Sequence, residues 1–253
     1  MSSNSRASGW VGAARARLGP GAISVGAFLL VCMFVVVFGG KDARDVAGSL
    51  GVLVGAIVSG TLFVRNARAF SGRERVGWTL VGAGLLVAAT GVLVVGTMFM
   101  SGYDPPAFGW PDLFFIATYA LMITAFSILP HTSGSGLQRV RMLIDGLIGA
   151  VSVGALLWVF VVSEVTHDLE TASLSTRAIG IMYPFLDLAL ASIAMIVLLR
   201  RSAYRFDITL GIFTLGVGFQ VAGDVAFFAS AGAGSFADAE PLYIMNLLAM
   251  FMF

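Results

Sequence analysis

Long runs of apolar residues, separated by short polar loops, set the pattern of this chain. A helix needs about 20 apolar residues to cross the hydrocarbon core of a bilayer. Runs of this kind predict spans over residues 22–38, 46–64, 76–100, 113–129, 140–162, 179–199 and 208–229. An eighth run, 242–253, stops at the last residue after about 12 residues, too few to cross. The chain is therefore expected to be the front part of a longer protein. Stretches such as Phe28–Phe38 are apolar on every side, which suits a helix in lipid. Barrel strands alternate apolar and polar positions instead. The expected fold is all-α: a polytopic membrane bundle of seven full spans and a truncated eighth over residues 22–253. Residues 1–21 are rich in Ser, Gly and Ala and are expected to form a flexible tail.

Composition sharpens this picture. The chain is 58% hydrophobic and 11% charged, against roughly 45–50% and 25% in soluble domains. There is too little polar surface to cover a soluble globule, so soluble enzyme folds are excluded and the bilayer is the expected partner. A net charge of +1 gives no case for nucleic-acid binding. One cysteine, Cys32, excludes a disulfide framework. His131 and His167 are expected on opposite sides of the membrane. No cofactor and no metal site is therefore expected. The chain has no Walker loop, HExxH, EF-hand or GxSxG motif, and no catalytic residue is assigned.

Basic residues set the orientation. Arg6, Arg15, Arg17, Arg65, Arg68, Arg73, Arg75, Arg139, Arg141, Arg200, Arg201 and Arg205 fall in the tail and in alternate loops. The opposite side holds only Lys41, Arg44 and Arg177. The positive-inside rule then places the N-terminal tail in the cytoplasm, and the end of an eighth span there too. Tyr103, Trp110, Trp158 and Tyr243 are expected as an outer aromatic belt, with Trp78 at the inner boundary.

Ionisable groups at depth are costly and usually face the bundle interior. Asp145 sits one turn after Arg141 and is expected to form an ion pair at a helix end. Asp187 is expected about 12 Å deep in its span, Asp224 about 8 Å and Gln220 about 14 Å, at the helical rise per residue. Tyr183 shares a face with Asp187, and Gln220 with Asp224. Pro184 permits a kink. Two readings of this group stand. One is a polar pocket open to the outside that binds a small ligand, a cation or a lipid headgroup. The other is an interhelical hydrogen-bond cluster that fixes packing. Gly51 and Gly55 form a GxxxG that allows close helix packing.

Three stretches look alike in kind to a known family: Pro111–Tyr119 (PDLFFIATY), Arg141–Leu147 (RMLIDGL) and Tyr183–Asp187 (YPFLD). With Ala222–Asp224 before a Gly/Ser loop, they resemble the N-terminal membrane region of bacterial GGDEF and EAL proteins, of actinobacterial style. Those proteins are diguanylate cyclases and phosphodiesterases that turn over cyclic di-GMP. The resemblance covers about residues 20–253. It implies a multi-pass sensory input domain in the bacterial inner (cytoplasmic) membrane, a homodimer, an extracytoplasmic or membrane ligand, and a cytoplasmic output domain. No GGDEF or EAL sequence is present, so no catalytic residue carries over and these residues are not expected to be an enzyme. A small transporter or permease, and a structural anchor subunit, are the competing readings.

Overall fold

A computed structural model describes residues 20–103, 109–129, 174–202, 208–232 and 240–253, with isolated positions at 144, 148, 152, 155 and 159. Among the described residues the regular structure is helical throughout. The helices are α1 (Pro20–Phe38), α2 (Lys41–Asn66), α3 (Gly72–Met100), α4 (Trp110–Ile128), α5 (Leu174–Ser202), α6 (Ile208–Gly232) and α7 (Glu240–Met252). A 3-10 turn, Ala67–Ala69, joins α2 to α3. The expected span 140–162, with Arg141 and Asp145, lies outside the described residues apart from those isolated positions.

The helices overrun the apolar runs that predict them. α2 begins at Lys41 rather than at residue 46, and carries Asp42 in its first turn. An acidic side chain there complements the positive end of the helix dipole, so a charged turn extends the helix instead of ending it. α4 begins at Trp110 because Pro111 fits a first turn, where no N–H is needed. Among the described residues three segments are long and apolar enough to cross a membrane: Lys41–Ala69, Gly72–Met98 and Trp110–Ile128. Ser24–Phe38, Met182–Val197 and Leu242–Met252 are shorter apolar helices.

Packing closes these helices into a ring. α2 packs on α3, α3 on α4, α4 on α5, α5 on α6, α6 on α7, and α7 back on α2. α1 lies outside the ring, against α2 and α7. Small residues make the close seams possible. A Cβ on Gly82 would lie 2.6 Å from the Gly60 carbonyl oxygen, so α2 and α3 touch backbone to backbone. Along the α2–α7 seam, Gly48, Gly51 and Gly55 receive Tyr243, Leu247 and Met250 in turn. Gly72, at the start of α3, has φ +56°, a left-handed value that L side chains rarely adopt.

Outside the ring the molecule is apolar. Leu30, Val31, Phe34, Phe38, Leu93 and Trp110 are all more than half exposed. A surface of that kind is stable in lipid rather than in water. Trp78 corrects an expectation: it is 6% exposed and is not part of an interfacial belt. Its ring stacks on Phe63 at 5.6 Å and meets Phe213 edge-on at 6.1 Å. Phe213 also contacts Phe126 at 5.5 Å and Phe253 at 4.8 Å. Such contacts add to the burial of large apolar rings. The cluster forms an aromatic floor at the end of the ring nearest Arg65 and Arg68.

Candidate functional site

The polar side chains of the ring gather toward the opposite end, on α4, α5 and α6. Asp112 is placed by its helix start. Its Oδ2 accepts the Gly109 backbone N–H at 2.8 Å, which satisfies one of the orphan donors of a helix N-terminus. The same carboxylate accepts the Tyr183 hydroxyl at 2.6 Å through Oδ1. Seven residues along α4, two turns on and therefore on the same face, stands Tyr119. Its hydroxyl donates to Asp187 Oδ1 on α5 and lies 3.3 Å from Asp224 Oδ2 on α6.

The α4–α5 seam thus carries two reciprocal pairs. α4 supplies a carboxylate and then a phenol; α5 supplies a phenol, Tyr183, and then a carboxylate, Asp187. α6 joins through Asp224, whose carboxylate receives Gln220 Nε2 at 3.3 and 3.4 Å. The spacing of four residues puts that pair on one face. Asp187 is 1% exposed, and its Oδ2 has no hydrogen-bond partner among the described residues. Asn246 Oδ1 on α7 is also buried and unpartnered among them. A carboxylate in such surroundings is costly unless a cation, a proton or further donors meet it.

Beside these groups the ring encloses a cavity of about 360 Å³. Small-molecule sites run from roughly 300 to 1,000 Å³. Every ring helix contributes to its wall: Val52 and Ala56 from α2, Leu85 and Ala88 from α3, and residues of α4 to α7. Asp112, Tyr119, Tyr183, Gln220, Asp224 and Asn246 supply most of its polar lining; Val217, Leu190 and Met122 continue it as an apolar body. Phe253, part of the aromatic floor, closes it below. Along α4 the lining runs from Asp112 to Met122, a depth of about 15 Å at the helical rise.

Of the residues singled out from sequence, Tyr183, Gln220 and Asp224 line this cavity, and Asp187 lies behind Tyr119. Gly51 and Gly55 are on the α2–α7 seam: a Cβ on Gly51 would sit 2.4 Å from Leu247 Cδ2, and one on Gly55 2.8 Å from Met250 Cβ. Sequence reasoning expected a pocket between the spans at 179–199 and 208–229 alone. α4 brings Tyr119 and Asp112 into the group, and α7 brings Asn246; none was named as a site residue. The seven-residue spacing of Asp112 and Tyr119 was the available signal. Among the described residues no three His, Cys, Asp or Glu side chains come together as metal ligands.

No protein-family model, curated protein or solved structure matches the chain.

Proposed function

We propose that this chain is the membrane-embedded input module of a signalling protein of the cyclic di-GMP type. It binds a ligand in the ring cavity and controls a cytoplasmic output domain, as a homodimer in the bacterial inner membrane with its N-terminus inside. The observation that carries this reading is the cavity: one small-ligand volume walled by all six ring helices, polar at one end and closed by aromatics at the other. Three of the four stretches that resemble the GGDEF/EAL membrane regions supply Asp112, Tyr119, Tyr183, Asp187 and Asp224 to one cluster. In this reading the span at 140–162 is a further crossing helix.

The helix that matters for output is α7. Leu242, Asn246, Met250 and Phe253 recur at spacings of three or four and all line the cavity, as one helix face requires. An occupant therefore presses directly on α7. A ligand shifts such a system only by preferring one packing over another, and a few kcal/mol of preference is enough to move the populations substantially.

The test places Ala56→Phe, which fills the cavity, in the complete gene product and reads cellular cyclic di-GMP. The expected result is an output fixed at one level, whatever the medium, with normal membrane insertion. An output that still responds as wild type would remove the proposal. Transport is the second reading, favoured by two carboxylates on facing helices bridged by one tyrosine. The aromatic floor counts against it. Uptake of labelled solute into proteoliposomes distinguishes the two, since a sensor shows none.

A further inference from the structure

The polar mouth of the cavity has more acceptors than donors. The Tyr119 hydroxyl is committed to Asp187 and Asp224, and the Tyr183 hydroxyl to Asp112. Thr118 spends its hydroxyl on the Phe114 and Gly84 carbonyls at 2.9 and 3.2 Å. Gln220 Nε2 points at Asp224. Asn246, which lines the cavity, has a buried Oδ1 without a partner among the described residues, and that atom is an acceptor. Among the described residues no Lys, Arg or His lines the cavity. An occupant that completes this site must bring hydrogen-bond donors, and positive charge above all.

The body of the cavity sets a second requirement. Below Tyr119 the wall is aliphatic, through Leu85, Ala88, Leu190 and Val217, and ends on Phe253. A hydrated metal ion finds nothing to hold it there, and no three-ligand cluster exists among the described residues. An anion would meet carboxylates at the mouth.

We infer that the cavity takes an organic ammonium carrying an apolar tail, its nitrogen at the polar mouth beside Asp112 and Asp224 and its tail on the aliphatic wall. Tyr119 and Tyr183 both line the cavity, their rings 6.2 Å apart, and an ammonium within about 6 Å of either ring face gains cation–π attraction besides the ion pairing. This inference rests on the sensor reading and names the chemistry of its ligand.

Wild-type protein in nanodiscs of zwitterionic lipid is titrated calorimetrically with octylammonium, octanol and octanoate, with empty discs subtracted. The expected result is saturable octylammonium binding at least tenfold tighter than octanol, and no octanoate binding. Ala88→Phe abolishes it by filling the cavity, and Asp224→Asn weakens it about tenfold. Octanol binding as tightly as octylammonium overturns the ammonium assignment and leaves a ligand pocket in place. Tightest binding of octanoate overturns the assignment in the same way. Octylammonium binding unchanged by Ala88→Phe overturns it by locating the amine elsewhere. Failure of all three probes to bind folded wild-type protein removes the ammonium and the pocket together.

Discussion

Tyr119 donates its only hydroxyl hydrogen toward two carboxylates at once, Asp187 on α5 and, at 3.3 Å, Asp224 on α6. One phenol on α4 thus pins α5 and α6, across separations of 68 and 105 residues. Removal of one partner of a buried hydrogen bond costs about 1–3 kcal/mol, because the other is left unsatisfied, whereas removing both can be nearly neutral. Tyr119→Phe should therefore lower thermal stability in detergent by about that amount. The double variant Tyr119→Phe/Asp187→Leu should recover much of it, giving a clear coupling in a double-mutant cycle. Additive losses would show that the bond is not what joins α4 to α5.

How much of this was legible in the sequence follows from what a uniform apolar helix hides. α2, α3 and α4 stand out as runs because their length alone demands lipid. Asp187 and Asp224 stand out because a carboxylate in such a run is expensive. Tyr119 does not, since a tyrosine costs little in a membrane helix and its face is set only by packing. Asp112 reads as a boundary acid until α4 is seen to begin at Trp110, which turns the same carboxylate into both a helix-end acceptor and the partner of Tyr183. Trp78 misleads for a related reason: its distance from the loop suits a belt, but Phe63 and Phe213 on neighbouring helices enclose it. Asn246 belongs to the run that sequence treats as unfinished, and its neighbours in the cavity come from five other helices.

The glycine seams predict a ranking. Gly82 faces the Gly60 carbonyl oxygen, which is backbone and cannot rotate away. Gly51 faces the end of the Leu247 side chain, which can. Overpacking typically costs about 1–3 kcal/mol, so Gly82→Ala should fall at the upper end and Gly51→Ala below it. Leu247→Ala should partly rescue Gly51→Ala and do nothing for Gly82→Ala. Gly26 meets nothing within 4 Å, so Gly26→Ala should be neutral or gain up to about 1 kcal/mol of helix propensity. Melting temperatures of the three glycine variants, and of Leu247→Ala alone and combined with Gly51→Ala or Gly82→Ala, in one detergent decide the order.

The aromatic floor predicts a large single-residue effect. Phe213 is 2% exposed and touches Phe63, Trp78, Phe126 and Phe253. Phe→Ala in a packed core costs about 3–5 kcal/mol. Phe213→Ala should therefore be among the most destabilising substitutions, and Phe213→Leu much milder. Indole fluorescence should also change, since Trp78 loses the ring it meets edge-on. A variant as stable as wild type would mean that the floor is not a packed unit.

Sidedness is the assumption on which an outward-facing mouth depends, and one cysteine makes it easy to examine. Cys32 is buried, so Cys32→Ser gives a background with no free thiol. Arg68 lies on the turn between α2 and α3, and Tyr103, 54% exposed, lies just beyond α3. α3 separates them and is long and apolar enough to cross the membrane, so the two positions should lie on opposite faces. The positive-inside rule predicts that the arginines near one end lie on the cytoplasmic side. In intact cells a membrane-impermeant maleimide should label Tyr103→Cys at once and Arg68→Cys only after permeabilisation. The reverse pattern would put the acidic mouth in the cytoplasm and the aromatic floor outside. An extracytoplasmic ligand would then have no route to Asp224.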